Sequence, residues 1–282
     1  MSLYDPLLNY LRYPHKYHLI CIQIVFFRRD NASILPLLND QRTLVKMKKN
    51  IHSSCEHCES KDKGIFCDLE LMELNDISNH KINNTYKKGQ TLFVQGNHPF
   101  GIYCISKGNI KLTKTGPDGK ETIVRIVHGG DILGHRSLFT EDNYSATATA
   151  MEDSEVCFID KKFILKIIEN NPSVALNIIN KLSRDMGVAE KKLSSLHQKN
   201  VRERLAELIL SLKASHGIKV DGRWRIDIKL TREEMATMIG TANETLIRFM
   251  TEFKDAGIIE QEGKTIYIKD EEELLNWANI NY

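Results

Sequence analysis

The chain has 282 residues, with 39 Lys and Arg against 37 Asp and Glu and a net charge of +2. At 41% hydrophobic and 27% charged residues it is too apolar for wholesale disorder, and it carries no run of 18 apolar residues that would span a bilayer. So even a charge balance excludes a global pull toward nucleic acid, leaving only a local patch or motif to supply one. Six cysteines are too sparse for a disulfide scaffold, and without a convincing secretory signal a reducing cytoplasm is the expected compartment.

Residues 1–46 read as an extension of unknown role. An apolar run from Tyr17 to Phe27 is interrupted by Gln23 and followed by Arg28 and Arg29; it is half of a membrane span, which leaves a strand, a docking segment or disorder. Met47 would serve equally well as a translation start, so the extension is expected to be dispensable or a product of start-site choice.

Residues 47–172 hold a cysteine-bearing segment and then a strand-rich region. Short β-rich runs such as Thr91-Leu-Phe-Val, Gly101-Ile-Tyr-Cys-Ile and Glu155-Val-Cys-Phe-Ile alternate with turn signals at Gly89, Gly96, Gly108, Gly119 and Gly129-Gly130. That rhythm predicts an antiparallel barrel or double-sheet roll. A helix over 173–200 follows Asn171-Pro172-Ser173. Its apolar residues Ile179, Leu182, Met186, Ala189, Leu193 and Leu196 are spaced 3, 4, 3, 4, 3, the seam of a two-stranded coiled coil, and a homodimer is expected. The alternative is a helix packed on its own domain.

In 201–282, Thr231 and Glu234 form a capping-box pattern, Gly240 stops a short helix, and Ala242 or Asn243 opens a second one through Phe253. Two helices about a Gly-containing turn predict a helix-turn-helix, and Gly257-Ile-Ile-Glu with Thr265-Ile-Tyr-Ile-Lys predicts a two-stranded wing. The segment between Leu212 and Leu230 reads as a polar loop. The fold class is therefore α+β.

From about Cys55 onward the residues resemble the Crp/Fnr family of bacterial transcription regulators, most specifically over Leu230 to Ile259. The resemblance implies a cyclic-nucleotide-binding-type β-roll, a long dimerisation helix and a C-terminal winged helix-turn-helix. It also implies that Glu244, Thr245 and Arg248 line a recognition helix that reads a TGA-containing half-site. The residue types make sense there: a carboxylate accepts from cytosine N4, a guanidinium bonds guanine O6 and N7, and positions i and i+4 share a helix face. The competing explanation is a surface salt bridge. Asn243 and Ile247 flank the readers and leave the outer bases open; Thr231, Arg232 and Thr241 are candidates for phosphate contacts.

For the effector, the family's cAMP-binding member places a Glu on the ribose and an Arg on the phosphate. Those places fall here on His135 and Tyr144, which argues against cAMP, because a buried phosphate would lack its guanidinium. The alternative is metal. Cys55, Cys58, Cys67 and Cys157 resemble the four cysteines with which the family's oxygen sensor holds a four-iron, four-sulfur cluster, although eight residues separate Cys58 from Cys67. Zinc, with His52 or His57, and inert thiols stay open beside it. Cys21 and Cys104 are taken as structural. At Ala189 the oxygen sensor carries an aspartate that opposes dimerisation without the cluster, so dimerisation here is expected to depend less on a cofactor.

No phosphate loop, zinc-protease motif or nucleophile elbow is present, so no enzyme is expected. The expected function is a homodimeric regulator that binds palindromic double-stranded DNA, with RNA polymerase as the partner the family implies and no membrane. The alternatives are a cofactor-free regulator sensing another small ligand, or a sensing module that acts through a protein partner.

Overall fold

The computed structural model describes residues 54–280; the 1–46 extension, Cys21, Met47 and His52 lie outside them. Ser54 caps a 3-10 turn over Cys55–His57 by accepting the His57 N–H, and a second such turn spans Lys61–Lys63. Helix α1 (Leu71–His80) opens where Glu73 accepts the Glu70 N–H at 2.8 Å. It buries Leu74 and Ile77 against the roll.

The roll consists of β1 (Ile82–Tyr86), β2 (Thr91–Phe93), β3 (Gly101–Lys107), β4 (Asn109–Thr115), β5 (Glu121–His128), β6 (Ile132–Leu133), a short helix α2 (His135–Thr140), β7 (Thr147–Ala150) and β8 (Ser154–Asp160). They form two antiparallel four-stranded sheets, ordered β1-β8-β3-β6 and β2-β7-β4-β5. Side-chain alternation splits the core in two. Ile105, Val156, Ile110 and Val127 fill the space between the sheets, whereas Ile102, Ile132 and Ile159 point outward beneath α1 and the helices that follow. The first sheet is thus apolar on both faces, which is why β3 reads as a near-continuous apolar run. Gly101 is required where β3 meets β8: a Cβ there would lie 2.1 Å from the Ile159 carbonyl oxygen.

Asp160 caps α3 (Lys161–Asn170) by accepting the Phe163 N–H at 3.0 Å. Pro172 begins α4 (Pro172–Gln198), whose 27 residues extend about 40 Å. Val174 and Ile178 are buried on the roll, and Leu182 packs partly against the same core, so this member of the expected seam is shared with its own domain. Ile179, Met186, Ala189, Leu193 and Leu196 face outward, joined by Leu176 and Val188. A polar clamp fixes the middle of the helix: Arg125 of β5 bonds Asp185, and Lys181 bonds Asp131 and lies 3.4 Å from Asp185. Burial pushes the Asp131 carboxyl up, but Lys181 and Arg125 outweigh it and hold it below the usual range.

In the C-terminal domain, Asn200 and Glu203 form a reciprocal cap on α5 (Val201–His216). The stretch expected to be a polar loop is instead a hairpin, β9 (Gly217–Val220) and β10 (Arg223–Ile226). Asp221 and Gly222 both take positive φ, 48° and 80°, the requirement of a tight two-residue turn that Asp-Gly satisfies. Then come α6 (Arg232–Ile239), α7 (Asn243–Asp255), β11 (Ile259–Glu262), β12 (Thr265–Ile268) and α8 (Glu271–Trp277). The hairpin joins the wing in one sheet, β11-β12-β10-β9. The domain has its own core, with Leu205, Ile209, Leu246, Met250 and Phe253 fully enclosed.

Candidate nucleic-acid interface and sensor cavity

The capping box of α6 forms as expected: Thr231 Oγ1 accepts the Glu234 N–H at 3.1 Å, and Glu234 accepts the Thr231 N–H at 2.9 Å. Gly240 ends the helix in the left-handed region, φ 64°, where its missing Cβ costs nothing. Helix α7 then buries Leu246, Met250 and Phe253 and turns Asn243, Glu244, Ile247 and Arg248 to the outside, with Thr245 half-buried at the edge. Glu244 and Arg248 share the exposed face without bonding each other; the guanidinium lies over the Phe249 ring, 5.0 Å from its centroid. The surface salt bridge is therefore not what this pair forms.

Two of the expected phosphate contacts are already engaged within the domain. The Thr231 hydroxyl serves the cap and donates to Glu234, and Arg232 donates to Gln261 of the wing at 3.0 Å. Thr241 holds the turn through its N–H to the Ala236 carbonyl. The domain is also tied to the roll. Lys111 of β4 bonds Glu234 at 2.7 Å, Ile126 and Met151 pack on the C-terminal core, and His216 Nε2 lies 2.9 Å from Asn109 Oδ1. Burial raises the Glu234 carboxyl, yet Lys111 and the cap hold it below its ordinary range.

Inside the roll, Tyr144 stacks on Phe93 with ring centroids 4.0 Å apart, and Tyr103 packs on the same Phe93 at 5.4 Å. An aromatic cluster thus sits at the place the family resemblance gives to a phosphate-binding arginine. His135 begins α2, only 4% exposed, and neither ring nitrogen has a hydrogen-bond partner. Arg136, beside it, is exposed on the helix.

Cys55, Cys58 and Cys157 line one cavity of about 60 Å³, together with Cys104 and Lys81 and walled by Ile65, Leu74, Ile77, Ile132 and Ile159. Cys67 is not part of it. Its neighbours Ile65 and Phe66 face the cavity, but the Cys67 sulfur is turned to α4, 3.7 Å from Asn177 Nδ2, and that amide also donates to Asp68 at 2.8 Å. The expected set of Cys55, Cys58, Cys67 and Cys157 does not converge on one group. Cys104, expected to be structural, lines the cavity with the other three. Its sequence signal went no further than the alternation that puts it on one face with Ile102; that Cys104 lies opposite Cys157 is set by strand register. Among the described residues, no three His, Cys, Asp or Glu side chains are placed to hold a single metal ion. His57 Nδ1 lies 2.8 Å from Ser54 Oγ.

Two family comparisons bracket this architecture. Residues 83–171 match the cyclic nucleotide-binding domain, and residues 203–277 match the Crp-like helix-turn-helix domain. The cAMP-activated global transcriptional regulator CRP of Salmonella typhimurium is 30% identical over 186 residues, 65% of this chain and 87% of that one. The chain belongs to the Crp/Fnr family of transcription regulators. Electron transport regulator A of Shewanella oneidensis is 28% identical over 236 residues, covering 81% of this chain and 93% of its own. FixK2 of Bradyrhizobium japonicum has the same fold, with a TM-score of 0.64 at 20% identity over 72% of this chain and 99% of that chain.

Within this Crp/Fnr chain the buried His135 makes a measurable pH signature. Burial, and the charges of Arg125, Lys181 and Arg136, outweigh the opposing pull of Asp185 and depress its imidazole from 6.5 to about 4. Between those values the unfolded chain binds the proton and the folded chain does not, so stability falls as the pH drops below about 6.5 and the loss is complete near 4. The full effect is on the order of 3 kcal/mol. Denaturant midpoints of wild type and His135→Leu, compared from pH 7 to pH 4.5, should diverge, with the variant losing less; parallel curves would exclude His135 as the source.

Proposed function

We propose that this regulator is a homodimer of the Fnr-like branch that binds a TGA-containing palindrome and takes its signal through the cysteine segment, with a four-iron, four-sulfur cluster as the effector-sensitive group. The observation that carries the DNA-binding half is the exposed, mutually unpaired Glu244 and Arg248 on α7, held by a helix whose opposite face is fully buried. The exposed heptad stripe on α4 supports the homodimer: Leu193 is 59% exposed in the single chain, and an apolar seam of that length finds its natural cover in a second copy. RNA polymerase as partner and a cytoplasmic location follow from the family. Among the described residues no helix is long and apolar enough to cross a membrane.

Support for a signal path comes from α4 itself. Its first turns share a core with α1 and the cysteine segment, and Asn177 bridges from that helix to Cys67 and Asp68. A change in the cysteine segment therefore bears on the helix that also carries the dimer stripe. A second reading, a cofactor-free regulator sensing another small ligand, is favoured by the cAMP-activated relatives; against cAMP itself stands Tyr144, stacked where a phosphate would need a cation.

Fluorescence anisotropy across a salt series tests the function. Affinity for a TGA-bearing palindrome should exceed that for a scrambled duplex by about 10³-fold or more at physiological salt, while both fall with salt at similar slopes. Equal affinity for the two duplexes would instead favour a sensing module acting through a protein partner.

A further inference from the structure

We infer that the sensor's ligands are Cys55, Cys58, Cys104 and Cys157, with Lys81 as the buried counter-charge of the same site, and that Cys67 is not a ligand. This ligand set presupposes the cluster proposed above and changes its fourth thiol.

The sheet determines which thiols can act together. Asn83, Cys157 and Cys104 lie in register across β1, β8 and β3, so they point from one face of the sheet. Cys55 and Cys58 cover that face from the 3-10 turn, which is tied down by the Cys55 N–H to Ser78 Oγ at 2.8 Å and by Ser60 Oγ to the Ser106 carbonyl at 2.8 Å. Two sulfurs from the sheet and two from the turn thus enclose one space. That space, about 60 Å³, is several times the 10–15 Å³ a single water needs, and its walls are largely apolar, the kind of cavity that stays dry. Among the described residues the sulfurs do not close on one ion, which speaks against a single zinc at this site.

The surroundings supply what four thiolates need. The Lys81 ammonium is buried and bonds Cys157 Sγ at 3.5 Å, placing a positive charge beside a site that ligation would make anionic. Ser106 Oγ lies 3.3 Å from Cys58 Sγ, and Asn83 Oδ1 accepts from the Cys157 thiol at 3.2 Å; once that thiol is deprotonated, rotation of the Asn83 amide offers the sulfur a donor instead. Cys67, on the far side of the segment, contacts α4 through Asn177 and is placed to pass on a movement, not to hold iron.

The probe is a synthetic thiolate-capped four-iron, four-sulfur cluster given anaerobically to the full chain. Ligand exchange moves one proton from each of four cysteines to each of the four released thiols, with no change of redox state. Iron and sulfide counts, the visible absorption and the midpoint potential are read on wild type, Cys67→Ser, Cys104→Ser and Lys81→Met, with circular dichroism confirming the fold. The expected result is four irons per chain in wild type and Cys67→Ser, at least a tenfold loss of retained iron in Cys104→Ser, and a cluster of more negative potential in Lys81→Met. A folded Cys67→Ser that holds no iron would overturn the ligand set while leaving the cluster intact as an idea, whether or not Cys104→Ser folds. Wild type that takes up no iron would overturn the cluster itself.

Discussion

Arg248→Ala is expected to lower affinity for the TGA palindrome by about 30-fold to 10⁴-fold. A bidentate contact to a base is worth about 1 to 3 kcal/mol, and a homodimer loses it in both half-sites. The side chain is exposed and stacked only on Phe249, so the folded domain should keep its stability to within about 0.5 kcal/mol. Glu244→Ala should behave differently. Removing an acceptor from cytosine costs some affinity, but its main effect is to let other bases in, so the ratio between the TGA site and its single-base variants shrinks at one position. A scan of all single-base variants against both mutants separates the two roles. Thr231→Ala is the contrast: its hydroxyl belongs to the α6 cap, so its loss should cost about 1 kcal/mol of stability and weaken binding to every sequence alike. If Arg248→Ala bound the palindrome as tightly as wild type, α7 would not be the reading helix.

Leu193→Lys should convert the proposed dimer to a monomer. Burying one leucine is worth about 1.5 to 3 kcal/mol; in the proposed dimer two copies would meet at the seam, and the substitution would replace them with like charges. Sedimentation should show half the wild-type mass, and affinity for the palindrome should fall more than hundredfold because each half-site is then bound alone. The dissociated subunit should keep its own stability, since Leu193 is 59% exposed within one subunit, and the variant should lose only the concentration-dependent part of Tm that dimerisation supplies. Leu182→Lys provides the internal comparison. Leu182 also packs against the core beneath α1, so its substitution should destabilise the subunit as well as the dimer.

The helix-turn-helix was legible because each of its signals is local. A capping box, a glycine stop and the opening of the second helix all lie within a few positions of one another, and Thr231, Gly240 and Asn243 do what their spacing predicts. The heptad stripe was legible for the same reason. The β9–β10 hairpin was missed because Lys219, Asp221 and Arg223 made the stretch look polar, although Asp221-Gly222 is a strong turn signal flanked by Ile218 and Trp224. What could not be read was anything set by strand register. Cys104 meets Cys157 across two strands separated by some fifty residues, and a shift of one residue would have put Tyr103 or Ile105 there instead. Where the Cys67 sulfur points could not be read either: it follows Cys55 and Cys58 closely in sequence, but the chain turns between Gly64 and Cys67 and sends that sulfur to α4. The burial of His135 and the tie between Lys111 and Glu234 are likewise products of packing between distant segments.

The most direct test of the whole arrangement is the distance between half-sites. In the proposed homodimer, two copies of α7 related by a two-fold axis would meet grooves one helical turn apart, about 10 base pairs centre to centre. Inserting five base pairs between two TGA half-sites turns one of them to the opposite face of the duplex, and inserting ten restores the phase at a greater separation. Measured at equilibrium with the full chain, the five-pair insertion should reduce affinity to the level of a single half-site. Undiminished binding to that duplex would contradict a paired reading of the grooves.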